Sequence, residues 1–179
     1  MNYRSKRINP NLIGDFKSIK YPARRQFSCN ETVERWKSQG HLYVNYTGML
    51  REEYLGVPQW CHNIVKVFKK KYILDNDKFC FLKNTSLSLY CMPPGTIMPE
   101  HEDNYVKYRE IYNIDDPNMV FRVLVFLDHW KSGHYFELDG QAYVNWSKGD
   151  YVWWRGNTPH MAANLGKENR YTMQITATI

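Results

Sequence analysis

The sequence predicts a mainly β protein of the α+β class, in which a jelly roll follows supporting helices at the N-terminus. Three observations lead to this fold. From Phe79 onward, short apolar runs alternate with clusters of Pro, Gly, Asn and Asp, as strands alternate with turns. Before about residue 80, apolar residues recur at helical spacing instead. Aromatic residues, which favour sheets, make up 16% of the chain.

The predicted strands number about seven, and turn residues bound each of them. They are Phe79–Leu82, Leu87–Cys91, Val120–Leu127, Tyr135–Leu138, Ala142–Trp146, Tyr151–Trp154 and Arg170–Thr178. In a jelly roll, two antiparallel sheets with about eight strands in total fold face to face. We therefore expect an interior pocket that can hold a metal ion and a small acid.

The N-terminal helices are predicted from two local patterns. The four residues from Ser28 to Glu31 have the form of a capping box ahead of an apolar run. The apolar residues between Ile64 and Tyr72 recur at the spacing of one helix face. Both patterns lie in the half of the chain that we expect to support the jelly roll.

A single domain is expected, because 179 residues fit one hydrophobic core but not two ordinary ones. The sequence contains no internal repeat and no Gly/Ser linker that would mark a boundary. We place the domain at residues 1–179, with helical support at about 1–80 and the jelly-roll core at about 80–179.

The apolar runs, the cysteine spacing and the net charge limit the classes of protein to which the chain can belong. No apolar run approaches the ~20 residues of a membrane span, and the N-terminus lacks a hydrophobic signal, so we expect a cytoplasmic protein without membrane contact. The cysteines contain no Cys-x-x-Cys pair, which argues for reduced thiols and against a zinc knuckle; they are Cys29, Cys61, Cys80 and Cys91. The net charge of +6 allows a nucleic-acid partner, but basic runs of this kind more often form a solvated face.

A candidate metal site begins with the run His101-Glu102-Asp103. In extended backbone, residues two apart face the same way, so His101 and Asp103 can reach one ion while Glu102 points away. A second histidine, His160, stands 59 residues further on, after a strand and a turn that ends in Pro159. Two imidazoles and one carboxylate form the ligand set that suits ferrous iron, Fe(II).

Arg170, ten residues beyond His160, opens the last predicted strand. Along this strand the polar residues Arg170, Thr172, Gln174 and Thr176 alternate with apolar ones, so they share one face. If this face lines the interior, the buried guanidinium needs an anion, and it matches a carboxylate through two parallel hydrogen bonds. A dicarboxylic oxo acid can supply that carboxylate and chelate the iron with its other end.

Residues 85 to 179 resemble the Fe(II)/2-oxoglutarate-dependent dioxygenase superfamily, and within it the prolyl-hydroxylase-like branch. The resemblance rests on an ordered set of motifs rather than on any one of them. The set consists of Tyr90, Pro94-Gly95, His101-Glu102-Asp103, the strand from Arg122 to Asp128, Gly133, the strand from Gly149 to Trp154, His160 and Arg170-Tyr171-Thr172.

The resemblance implies a double-stranded β-helix (the jelly roll of the cupin-like folds) that oxidatively decarboxylates 2-oxoglutarate to succinate and CO2 and consumes O2. It implies iron ligands at His101, Asp103 and His160, with Arg170, Tyr90 and Thr172 as co-substrate contacts. The implied substrate is a peptide or protein side chain, which the enzyme hydroxylates.

The sequence departs from this family at Phe126, where many relatives carry a tyrosine that contacts the co-substrate. A phenyl ring cannot donate a hydrogen bond, so affinity for the co-substrate must depend on Arg170 and Tyr90, or on Arg122 of the same strand. We interpret His129 and His134 as loop residues that could still serve as spare ligands.

Two other functions stay open at this stage, as does the oligomeric state. One is a cupin-like metal-binding module or isomerase that has the same barrel and no co-substrate. The other is a nucleic-acid-modifying oxygenase of the same superfamily, which the basic charge and the aromatic residues favour.

Overall fold

A computed structural model of the protein describes residues 6–10, 13, 16, 17, 79 and 81–179. The capping box at residues 28–31, the helical repeat at residues 64–72 and most of the expected N-terminal support lie outside these residues. The division into helical support and jelly-roll core therefore stays a prediction. Cys91 is a half-buried thiol, and the other three cysteines also lie outside the described residues.

The described part of the chain is built mainly of strands, joined by turns and one short helix. In chain order the elements are β1 (Lys6–Arg7), β2 (Lys83–Met92), β3 (Thr96–His101), α1 (Val106–Tyr112), a 3-10 turn (Pro117–Met119), β4 (Phe121–Phe126), β5 (His134–Leu138), β6 (Gln141–Tyr143), β7 (Asp150–Arg155), β8 (His160–Asn164) and β9 (Arg170–Thr178). Within the described residues, no helix has both the length and the hydropathy of a membrane span.

The strands form two antiparallel sheets. The five-stranded sheet has the order β1-β7-β4-β9-β2, and the four-stranded sheet has the order β3-β8-β5-β6. From β2 to β9 the chain crosses repeatedly between the sheets, and every pairing is antiparallel. The fold is therefore a mainly β jelly roll, a double-stranded β-helix, as the sequence predicted.

Apolar residues cover both faces of the five-stranded sheet, which is why all six residues of β4 are buried. On the outer face, Val123 and Val125 pack with N-terminal residues such as Ile8 and Phe16. Between the sheets, an inner cluster fills the interior around Leu124 and Phe126. Its other members are Met92, Met98, Phe136, Leu138, Tyr143, Trp146, Val152, Trp154 and Ala162.

Most of the predicted strands are present, and the bounds of β9 agree with prediction. The strand predicted at Phe79–Leu82 is wrong, because Phe79 and Phe81 lie in turns and β2 begins only at Lys83. The strand predicted at Ala142–Trp146 is shorter, since Asn145 adopts a positive φ of 59° that ends the extended run.

Two strands of the smaller sheet, β3 and β8, were not predicted as strands. β3 contains Pro99, which interrupts the usual strand pattern, but β3 is an edge strand, where a missing N–H is tolerated. β8 reads His-Met-Ala-Ala-Asn and lacks the β-branched residues that mark strands. Both of its alanines are buried, and Ala162 packs in the inner cluster.

Gly133 and Gly166 allow two loops to cross at backbone contact. Gly133 has a φ of +89°, and a Cβ built there would overlap the backbone nitrogen of Gly166. The Gly133 carbonyl accepts a hydrogen bond from the Leu165 N–H at 2.8 Å. This crossing lies between β5 and the end of β8, so it helps to fix the strand that carries His160.

The mutation Gly133→Ala should destabilise the fold by roughly 3 kcal/mol or more, because it combines a strained φ with a backbone overlap. Gly140→Ala is a matched control: its φ is +71°, but its Cβ would meet no heavy atom of the described residues within 4 Å. The control should cost only about 1 kcal/mol. Urea unfolding midpoints measure both values, and equal losses would contradict the close crossing.

Candidate metal centre

Two adjacent strands bring His101 and His160 side by side. His101 is the last residue of β3 and His160 the first of β8, and the two are paired across the antiparallel ladder. A register shift between Met98 and His101 adjusts the end of β3. As a result the two imidazole rings lie 4.4 Å apart between centroids.

Asp103, two residues beyond His101, completes a group of three donors. Its Oδ1 lies 3.9 Å from His101 Nε2, and its Oδ2 lies 3.7 Å from His160 Nε2. The candidate ligand atoms of the three residues all lie within 4.8 Å of one another. One ion with bonds of about 2.1 Å holds its donors roughly 3 to 4 Å apart, so these residues fit a metal with little movement. Glu102, in contrast, is exposed, as expected.

His160 is held in the tautomer that a metal requires. Its Nδ1 lies 2.9 Å from the Thr158 carbonyl oxygen, which can only accept, so Nδ1 carries the proton. Nε2 therefore presents a lone pair toward Asp103. Burial, with an added contribution from nearby His101, lowers the pKa of His160 to about 4. The ring is thus neutral near pH 7.

Asp103 is held as a carboxylate. Burial alone would raise its pKa, but the charge of Arg122 and the two imidazoles outweigh burial and lower the pKa below its ordinary value. Arg122 Nη2 donates to Asp103 Oδ2 at 2.6 Å. The third donor is therefore an anion, which favours a divalent cation.

Arg122 lies beside the three candidate metal ligands, at the end of the interior that we call the metal end. From β4, its guanidinium also donates to Gln174 of β9 and lies 4.9 Å from the centre of the Tyr105 ring. From the sequence, Arg122 was one of the residues predicted to bind the co-substrate. In the structure, its guanidinium instead contacts the carboxylate of Asp103, which is a candidate metal ligand.

Arg170 lies in an aromatic enclosure at the start of β9. Its side chain is only 4% exposed. The guanidinium carbon is 5.9 Å from the ring centres of Phe126 and Phe136 and 5.5 Å from that of Trp146. Phe126 stacks on Trp146 at 4.1 Å and offers the guanidinium a ring face.

Thr172 lies between the metal end of the interior and the aromatic enclosure of Arg170. On β9 it follows Arg170 and precedes Gln174 on the same face, and it pairs across the sheet with Phe126 on one side and Tyr90 on the other. Thr172 and Tyr90 are both buried. Arg170 and Gln174 are four positions apart on the strand, which corresponds to about 13 Å along the sheet.

The aromatic residue Trp154 forms the wall beside His160. Its ring lies 5.1 Å from that of His160 and 5.9 Å from that of Phe136, so aromatic contacts link the metal end to the enclosure of Arg170. The neighbouring Trp153 faces the other way and stacks on Phe121. This division follows from the alternation of side chains along β7.

Two histidines outside the triad differ in position. His129 is an exposed loop residue, as expected. The interpretation of His134 as a loop residue is wrong, because it begins β5, is buried and stacks on Trp146. Its Nε2 lies 3.1 Å from the Glu168 carbonyl oxygen, and burial lowers its pKa. This ring packs beside the Arg170 enclosure.

Tyr105 was not assigned to the candidate site from the sequence. Its side chain is buried against Arg122, and its backbone adopts a left-handed φ of 53° just before α1. Tyr108 and Arg109 follow on α1, which has no buried residue. An aromatic residue two positions after an aspartate carries no special signal, so only the fold reveals this contact.

Comparisons with known proteins give similarity at the level of solved structures. No protein-family model and no curated protein matches the sequence. An uncharacterized conserved protein with a double-stranded β-helix domain from Klebsiella pneumoniae is 13% identical, with a TM-score of 0.38 over 52% of this chain and 67% of that chain. A predicted oxalate decarboxylase from Thermotoga maritima is 14% identical, with a TM-score of 0.38 over 52% and 66%.

A third similar structure is salicylate 1,2-dioxygenase from Pseudoaminobacter salicylatoxidans, solved as a mutant with gentisate. It is 9% identical, with a TM-score of 0.36 over 51% of this chain and 20% of that chain. The double-stranded β-helix of the present chain follows from its own strand order and pairing.

In the metal-free protein, stability should fall as the pH is lowered from 6.5 to about 4. The unfolded chain protonates His160 near its ordinary pKa of 6.5, whereas the folded chain resists protonation until about 4. The loss should reach at most about 3 kcal/mol and then level off for this group. Urea unfolding at several pH values, after dialysis against a chelator, measures it.

Two variants test whether His160 causes this dependence of stability on pH. His160→Gln should remove most of the pH dependence between 4 and 6.5, and the exposed-loop variant His129→Gln should retain it. A slope unchanged in His160→Gln would show that another group is responsible.

Proposed function

We propose that the protein is an Fe(II)- and 2-oxoglutarate-dependent dioxygenase that hydroxylates a peptide or protein side chain. One observation carries this proposal. Two histidines and one carboxylate converge within 4.8 Å, inside the same jelly roll that buries Arg170. The first group suits a ferrous ion, and the second suits the far carboxylate of an oxo diacid.

His101, Asp103 and His160 would hold the metal. When bound, a ferrous ion with its oxo acid supplies the activation of dioxygen, and succinate and CO2 are released. Three protein ligands would leave room at the ion for a chelating oxo acid and for dioxygen. The Thr158 carbonyl keeps His160 in the correct tautomer, and Arg122 keeps Asp103 ionised.

Arg170 would bind the distal carboxylate of 2-oxoglutarate. Its aromatic surroundings have a low dielectric constant, which strengthens a charge-assisted hydrogen bond to an anion. Thr172 and Tyr90, buried on neighbouring strands, would offer hydroxyl groups along the molecule. The phenyl ring of Phe126 would exclude water from the ion pair, a role that requires no hydroxyl group.

The first test of this function is an anaerobic titration with Fe(II) and 2-oxoglutarate. We expect the visible charge-transfer band of a chelated oxo acid, followed by succinate formation when O2 is admitted. His101→Ala and Asp103→Ala should reduce both signals to the level without added iron, and the exposed His129→Ala should retain them. Succinate formation that continues without metal would contradict the proposal.

The second test separates the co-substrate from the metal. Arg170→Gln should raise the KM for 2-oxoglutarate roughly 100-fold, because charge-assisted hydrogen bonds worth about 3 kcal/mol are lost. Its affinity for Fe(II) alone should stay at the wild-type value. Arg155→Gln, a change of an exposed arginine on β7, is the matched control and should leave both constants unaltered.

One observation favours a second candidate, a cupin-like metal-binding module or isomerase without a co-substrate. The stacked rings of Phe126 and Trp146 pack closely against Arg170, where a carboxylate would have to enter. This candidate predicts that 2-oxoglutarate leaves metal affinity unchanged. It also predicts that Arg170→Gln retains every metal-dependent property.

A further inference from the structure

We propose that Arg122 is a positioning residue that orients Asp103 for metal binding, an inference that rests on the proposed function. Its guanidinium makes three contacts. Nη2 donates to Asp103 Oδ2 at 2.6 Å, Nη1 donates to Gln174 Oε1, and the flat group lies over the Tyr105 ring. We call Arg122 and its partners Asp103, Tyr105 and Gln174 the Arg122 clamp.

The clamp holds one loop at two points. Asp103 and Tyr105 belong to the short segment between β3 and α1, and both contact the same guanidinium, one through a carboxylate and one through a ring. Tyr105 adopts a left-handed φ of 53°, which is uncommon for an aromatic residue. The strained turn directs its ring inward, where it is 8% exposed, instead of into solvent.

The base of the clamp is rigid. Arg122 lies in the central strand β4, where it pairs with Trp154 on one side and Thr176 on the other. Gln174 lies in β9, the strand next to β4. Asp103, in contrast, lies outside the ladder and is 28% exposed. A candidate ligand in a loop is thus tied to the central strand of the larger sheet.

The clamp also limits how Asp103 can coordinate. Arg122 occupies one lone-pair direction of Oδ2, so the carboxylate is left to give an ion mainly one oxygen. Single-oxygen coordination keeps three positions of an octahedral ion open, as the proposed reaction requires. A cationic neighbour opposes metal binding electrostatically, but Asp103 neutralises that charge at 2.6 Å. We expect the orienting effect to exceed the remaining repulsion, because groups that hydrogen-bond metal ligands contribute roughly 10- to 100-fold to metal affinity.

The test compares metal binding in Arg122→Met with that in the wild-type protein, using Co(II) and, under anaerobic conditions, Fe(II). We expect affinity to fall roughly 10- to 100-fold and the visible Co(II) spectrum to change, because Asp103 loses its fixed orientation. Arg122→Lys retains a charge but not the fork of donors, so it should recover only part of the affinity.

Arg155→Met is the matched control. Arg155 is on the adjacent strand and also lies over an aromatic ring, Phe121 at 5.6 Å, but it is exposed and belongs to the outer face. It should keep wild-type affinity and spectrum. Gln174→Leu removes one anchor of the clamp without touching the charge, and it should weaken Co(II) binding less than Arg122→Met does.

The outcomes separate this inference from the proposed function. If the wild-type protein binds neither metal, both fail. If it binds them and the Arg122 variants bind equally well, with the same spectrum, the positioning role is wrong and the metal centre stands. If Arg122→Met does not fold, as a urea transition would show, Arg122→Lys and Gln174→Leu decide the question by the same measurements.

Discussion

The pairing of β3 with β8 is the constraint on which the candidate site depends. Because the two strands are antiparallel and His101 lies opposite His160, residues 59 positions apart in sequence become neighbours at one end of the smaller sheet. A shift of this register by one residue would turn one imidazole to the other face. At the far end of β8 the Gly133 and Gly166 crossing fixes the loop that follows, and Ala162 packs in the inner cluster.

An apolar interior that contains two arginines must compensate their charge, and the chain does so in two different ways. Arg122 is matched by a carboxylate at 2.6 Å and by the Gln174 amide. Arg170 lies among three aromatic rings and the sulfur of Met92 at 3.8 Å. The rings offer a weaker interaction than a carboxylate does. The two guanidinium groups therefore have surroundings of different chemistry, one polar and one largely aromatic.

The sequence was sufficient to predict the parts of the fold and site that are periodic or chemically distinctive. The alternation from Arg170 to Thr178 predicted β9 and its polar inner face, and His101 with Asp103 stood out because no other histidine precedes an aspartate by two residues. β3 and β8 were missed because Pro99 and a run of alanines hide the strand pattern. Tertiary packing, which local propensity does not contain, makes them strands.

Long-range contacts account for the remaining difference between sequence and structure. Nothing in the run from Phe121 to Phe126 indicates that Arg122 meets Asp103 rather than a co-substrate, since both roles need an inward guanidinium. The choice is made by the position of the loop after β3, which brings Asp103 and Tyr105 over Arg122, near the start of β4. Arg122 on β4 and Arg170 on the adjacent strand β9 thus have different neighbours. Arg122 is therefore the arginine that contacts Asp103, one of the candidate metal ligands.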